Sequence, residues 1–245
     1  MMKRILLALS VVLMPGLALA SEGHTKLDPV KIDLGDKPSL QRGARLFVNY
    51  CLSCHSAGYM RYNRMGTDLG ISDKQIEQYM GFITDKEGKF KIGALMQSNL
   101  SAEAAKAAFN TVPPDLSVTA RSRGPEWIYT YLRSFYQDEH AVSGWNNVIF
   151  PHVAMPNVLA GLQGTQRAVM HEDGKGIERL ELAKAGSMEK KEFDSAMRDL
   201  TNFMVYLAEP AKLVRYEIGV YVLLFLLVLF VPAYLLNKEY WKDVH

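Results

Sequence analysis

A run of 19 residues without one charge, IGVYVLLFLLVLFVPAYLL from Ile218 to Leu236, limits what this 245-residue chain can become. As an α-helix rising about 1.5 Å per residue it reaches about 28 Å, close to a bilayer hydrocarbon core of about 30 Å. A core helix of a soluble domain carries a polar stripe, and this run has none. Tyr221, Tyr234, Tyr240 and Trp241 are placed as interfacial aromatics. Pro232, one turn from the end, is tolerated in membrane helices and marks a candidate kink. The pattern predicts a transmembrane anchor over 218–236.

The other apolar end reads differently. Lys3 and Arg4 precede the stretch Ile5–Leu13, and Ala18-Leu19-Ala20 offers a small-x-small cleavage site before Ser21. Residues 1–20 are thus expected to be a cleaved signal peptide; as an uncleaved anchor the apolar stretch is short. Lys212 and Arg215 before the span balance Lys238 and Lys242 after it, so counting positive charges gives no orientation. The signal peptide gives one: residues 21 to about 215 in the periplasm and the tail 237–245 in the cytoplasm. Taking Lys3 and Arg4 from 28 Lys+Arg leaves 26, against 26 Asp+Glu. That zero balance carries no nucleic-acid signal.

Between the ends the sequence predicts one mainly α domain with a small β-hairpin. Residues 21–38, with Asp28-Pro29 and Lys37-Pro38, read as an extended arm, and 39–210 as the domain. A helix is expected from Ser39 as N-cap, with Leu40, Ala44 and Phe47 on one face leading into Cys51. Gly43 within it suggests a close backbone approach. Ser72 with Gln75 reads as a capping box, Ser101 caps AEAAKAAF, and Pro125 opens a helix expected over 125–136. RAVMHEDGKGIERLEL alternates about Asp173-Gly174 as a hairpin does. Phe193, Met197, Leu200, Met204 and Leu207 follow a helical period.

Both cysteines lie in YCLSCHSAGY, residues 50–59. In an oxidising compartment structural cysteines pair across a fold, but a bond between Cys51 and Cys54 would close a very small loop. A thioredoxin-like pair needs a strand before it, and the pattern there is helical. Zinc needs four ligands, and three candidates cluster here. C-x-x-C-H is instead the attachment signature of c-type haem. Thiols about one helical turn apart reach two vinyl groups on one porphyrin edge, and His55 then falls beneath the iron. With one such motif, the expected cofactor is one covalently bound haem c, held by Cys51, Cys54 and His55.

A sixth ligand must come from elsewhere. Most methionines sit at helical spacing among apolar residues, where packing explains them. Met155 lies in NNVIFPHVAMPNVL between Pro151 and Pro156, a proline-braced loop suited to presenting a thioether to iron; His152 is its rival. In NTVPPDLSVTARSRG, Pro113-Pro114 offer free carbonyls, one of which can accept Nδ1–H of His55. Arg121 and Arg123 are both candidates for a haem propionate, or else solvated arginines on a turn.

RGARLFVNYCLSCHSAGYMRY, PPDLS followed by RSRG, and IFPHVAMP before a hydrophobic tail together resemble cytochrome c1, the haem subunit of the cytochrome bc1 complex. The match runs over nearly the whole chain after residue 20. The resemblance implies that Cys51 and Cys54 carry the haem, that His55 and Met155 ligate the iron, and that Arg123 rather than Arg121 binds a propionate. It implies a cytochrome c-like haem domain that takes one electron from a Rieske iron–sulfur protein and passes it to a cytochrome c acceptor. It further implies a place beside cytochrome b in a quinol-oxidising complex of the bacterial inner membrane. The chain departs from the family pattern in having Pro156 directly after Met155, no additional cysteine pair and no strongly acidic insert. The alternatives are an anchored cytochrome c serving a terminal oxidase, a haem peroxidase with an open iron site, and a thiol–disulfide oxidoreductase.

Overall fold

The computed structural model describes residues 26–82, 84, 88–172 and 176–243. The expected signal peptide over 1–20, the expected turn at Asp173-Gly174 and the last two residues of the expected tail lie outside them. The first described helix, α1 (Lys37–Tyr50), starts two residues before the expected cap. Asp36, not Ser39, is the N-cap: its carboxylate accepts the Ser39 N–H at 3.0 Å, and Pro38 sits in the first turn, where no N–H is needed. The Ser39 hydroxyl is committed elsewhere, donating to buried Asp199 at 2.7 Å.

That bond belongs to the contact that organises the domain. α1 packs on the long helix α8 (Lys190–Ala208), which buries Phe193, Met197, Leu200, Met204 and Leu207 as its period predicts. The backbones come so close that a Cβ on Gly43 would stand 2.1 Å from the Asp199 carbonyl oxygen. Phe47 and Phe203, both fully buried, meet at 5.6 Å beside the crossing. Each such side chain contributes about 1.5–3 kcal/mol of apolar burial. Asp199 also accepts from Arg42, and Asn202 exchanges two hydrogen bonds with the Asp33 backbone, so the arm from residue 26 is stitched to α8.

Short elements fill the space between. β1 (Ala57–Arg61) pairs antiparallel with β2 (Leu95–Met96), with α2 (Tyr62–Leu69) and α3 (Asp73–Met80) between them. α3 carries the expected capping box, and α4 (Ala102–Phe109) is capped by Ser101. α5 (Thr119–Arg123) leads through Gly124 into α6 (Pro125–Arg133), with Pro125 at its first position.

The helix expected over 125–136 stops at Arg133. Its final carbonyl is taken by Gln163 and Gln166 side chains, both at 2.9 Å, instead of by the next helical turn. The following residues form β3 (Phe135–Gln137), which pairs with β4 (Trp145–Asn147). After the short α7 (Ala160–Gln163), β5 (Gly164–Met170) and β6 (Ile177–Ala185) form the antiparallel pair expected from the alternation, with two register shifts. The described residues are thus mainly helical with three two-stranded sheets, two more than expected.

Residues 209–211 separate α8 from α9 (Lys212–Tyr240), so the last helix begins six residues before the expected span. α9 contains a stretch, Ile218–Tyr240, whose most apolar 18 residues have mean hydropathy 2.6 and are not buried. The helix runs through Pro232 without interruption.

Candidate haem site

α1 delivers Cys51 at its C-cap, where the Cys51 N–H still donates to Phe47 O at 2.9 Å. The chain then tightens: Cys54 N and His55 N both donate to Cys51 O, at 3.1 and 2.8 Å. Cys51 is buried, Cys54 half-buried, and both are free thiols. Burial, reinforced by Cys54, pushes the Cys51 thiol up to about 12. A redox dithiol needs the opposite shift, toward thiolate at neutral pH.

His55 Nδ1 lies 2.8 Å from Pro114 O. A carbonyl only accepts, so Nδ1 carries the proton and the Nε2 lone pair is left available. Burial pulls the His55 pKa below its ordinary value, against the Pro114 carbonyl and Asp115, which pull it up. The imidazole is therefore neutral at pH 7, the form that binds a metal.

Asp115 fixes the carbonyl that fixes His55. One carboxylate oxygen accepts Gly58 N–H at 2.8 Å and the other Ser117 N–H at 2.7 Å. Ser117 Oγ accepts from Tyr59 N, and Leu116 N donates to Ser56 O at 2.7 Å. PPDLS is thus bound along the segment that follows the motif. Burial acts to raise the Asp115 pKa, but the bonds from Ser117 and Gly58 and the nearby His55 outweigh it and hold the carboxyl low.

Met155 occupies an irregular loop, half-buried, with its Sδ 3.4 Å from the Tyr131 hydroxyl. Tyr131 stacks on Trp127 at 4.9 Å, and the Arg123 guanidinium lies 5.1 Å from the Trp127 ring centroid. Arg123, Trp127, Tyr131 and Met155 therefore form one connected wall. Among the described residues neither Arg121 nor Arg123 makes an ion pair, and both are exposed. His152, the rival ligand, is exposed at φ 61° and close enough to Asp138 to help hold that carboxyl low.

The residues fit a c-type haem. Two unbonded thiols, a histidine with one nitrogen committed to a carbonyl and a thioether with a spare lone pair match the group's demands. A buried N–H of Asn157, two residues past Met155, has no protein partner.

The family model described as "Cytochrome C1 family" matches residues 31–244. The chain belongs to the cytochrome c1 family. Cytochrome c1 of Allochromatium vinosum is 48% identical over 249 residues, covering all of both chains. A protein of Nitrosomonas europaea named "Ammonia monooxygenase gamma subunit" is also 48% identical, over 98% of this chain and 97% of its own. Cytochrome c1 of Rhodospirillum rubrum is 27% identical over 99% of this chain and 97% of its own. As a member of the family the chain carries one covalent haem c and is membrane-anchored. It is an electron-transfer subunit, not itself catalytic.

Sequence reasoning did not single out Asp115, Trp127 or Tyr131. Trp127 and Tyr131 stand four apart in PEWIYTYLRSFY and so share a helix face, which is the signal that would have paired them.

Proposed function

We propose that this subunit takes one electron from a Rieske iron–sulfur protein and passes it to a cytochrome c, beside cytochrome b. In this reading Cys51 and Cys54 would hold the haem by thioethers, His55 and Met155 would ligate the iron, and Arg123 would pair with a propionate. The bound haem supplies a single site that gains and loses one electron. The chain's own residues hold that site still. Pro114 orients the imidazole, Asp115 anchors Pro114, and the wall of Trp127 and Tyr131 stands against the thioether. A fixed ligand set needs little rearrangement on oxidation, and His/Met ligation raises the potential toward that of a late acceptor.

The domain, residues 39–210, then faces the periplasm of a bacterial cytoplasmic membrane, with 1–20 removed, 21–38 as its arm, 218–236 spanning and 237–245 inside. The observation that carries the reading is the His55–Pro114 bond at 2.8 Å, which leaves Nε2 as a ligand beside two unpaired thiols.

Purification of the tagged chain in mild detergent tests it. Haem b and a Rieske-type EPR signal should co-purify, and added quinol should reduce the haem c. A preparation free of haem b and of the cluster would refute the assignment. Recovery with monooxygenase subunits would favour the role named for the Nitrosomonas relative.

A further inference from the structure

The Tyr131 ring has little freedom. Trp127 covers one face, nearly parallel at 10°, while Phe135 at 5.0 Å and Phe150 at 6.5 Å meet it edge-on. Its backbone carbonyl accepts the side-chain amide of fully buried Asn147 at 2.9 Å. With ring and backbone both held, the hydroxyl stands 3.4 Å from Met155 Sδ. A phenol ordinarily keeps its proton throughout the physiological range, so the hydroxyl is available as a donor.

A thioether sulfur has two lone pairs, and a donor on one leaves the other as the only route to a metal. We propose that Tyr131 is a positioning residue for the axial thioether, holding one lone pair of Met155 Sδ so that only the other meets the iron, and tuning that iron by drawing electron density from sulfur. This rests on Met155 being the ligand. Ferric iron asks more electron density of sulfur than ferrous iron does, so the phenol competes with it. The hydrogen bond is therefore stronger in the ferrous state, and it favours that state.

The test is a redox-titrated visible spectrum of the full-length holoprotein in detergent, for wild type, Tyr131→Phe, and protein carrying a ring-fluorinated tyrosine at position 131. Loss of the donor should lower the Fe(II)/Fe(III) ratio at fixed ambient potential about threefold to tenfold, the effect of a modest difference in one hydrogen bond. Tenfold corresponds to about 59 mV for one electron. The fluorinated phenol, a stronger donor of nearly the same shape, should move the ratio the other way. Opposite shifts support the proposal; shifts of one sign, or none, overturn it, because packing alone does not follow donor strength. If Tyr131→Phe fails to fold, the fluorinated protein decides alone: an unchanged or lower ratio overturns the proposal. A wild type lacking the methionine–iron charge-transfer band would instead overturn the assignment of Met155, and the proposal with it.

Discussion

Gly43→Ala tests whether the crossing of α1 and α8 holds the haem domain together. The added Cβ would meet the Asp199 carbonyl oxygen at 2.1 Å, Phe203 Cβ at 2.6 Å and the Asp199 carbonyl carbon at 2.8 Å. Two of these three atoms are backbone, so no rotamer change relieves them. The helices would have to part by about 1 Å to restore ordinary contact, and a close-packed interior transmits that displacement. Parting them loosens Phe47 against Phe203 and stretches the buried Ser39–Asp199 bond. Overpacking costs about 1–3 kcal/mol where side chains can yield and more where backbone must move. Alanine returns about 1 kcal/mol through its helix propensity. The expected net loss is about 2 kcal/mol. Guanidinium unfolding of the full-length protein in detergent, followed by circular dichroism, measures it. Gly161→Ala is the control: its Cβ meets nothing within 4 Å, so that variant should be neutral or gain up to about 1 kcal/mol. If Gly43→Ala were as stable as wild type, the crossing would not be the close contact described.

Asp115→Ala strips the acceptors from Gly58 N and Ser117 N and should lower stability by about 1–3 kcal/mol in the same unfolding assay; an unchanged midpoint would contradict its anchoring role. Arg133 pairs with Asp28 and Asp194 and lies 4.4 Å over the Tyr129 ring, so Arg133→Gln should speed hydrogen exchange in residues 26–36 while leaving the core of α8 protected. Acid should act through Asp115 and Asp194, whose folded pKa values are held below the ordinary range, Asp194 by Lys190 and Arg133 against its burial. Their stabilisation is complete above the unfolded value of about 3.9 and is lost as pH falls through the lower folded values. Stability should therefore not fall through these groups between pH 7 and about 5, and should drop below about pH 4; a fall centred near neutrality would point to other groups.

The features legible in the sequence were those set by neighbours along the chain. The capping box of Ser72 and Gln75 is local, and the apolar face of α1 follows from period alone. The strands of the β5–β6 pair announce themselves by alternation. The carbonyl partner of His55 was also anticipated, because prolines leave carbonyls without competing donors. What escaped was decided at a distance. Ser39 is a plausible cap until Asp199, 160 residues away, takes its hydroxyl. PEWIYTYLRSFY looks helical to its end until Gln163 and Gln166 claim the Arg133 carbonyl. Asp115 reaches Gly58 across 57 residues and Tyr131 reaches Met155 across 24, contacts without a local pattern.

The most direct measurement of the central claim is a redox-titrated visible spectrum of the wild type against Met155→Leu. A covalent haem c is expected in both proteins, with the methionine–iron charge-transfer band present only in the wild type and a much lower reduction potential in the variant. An unchanged band and potential in Met155→Leu would contradict it and move the sixth ligand elsewhere.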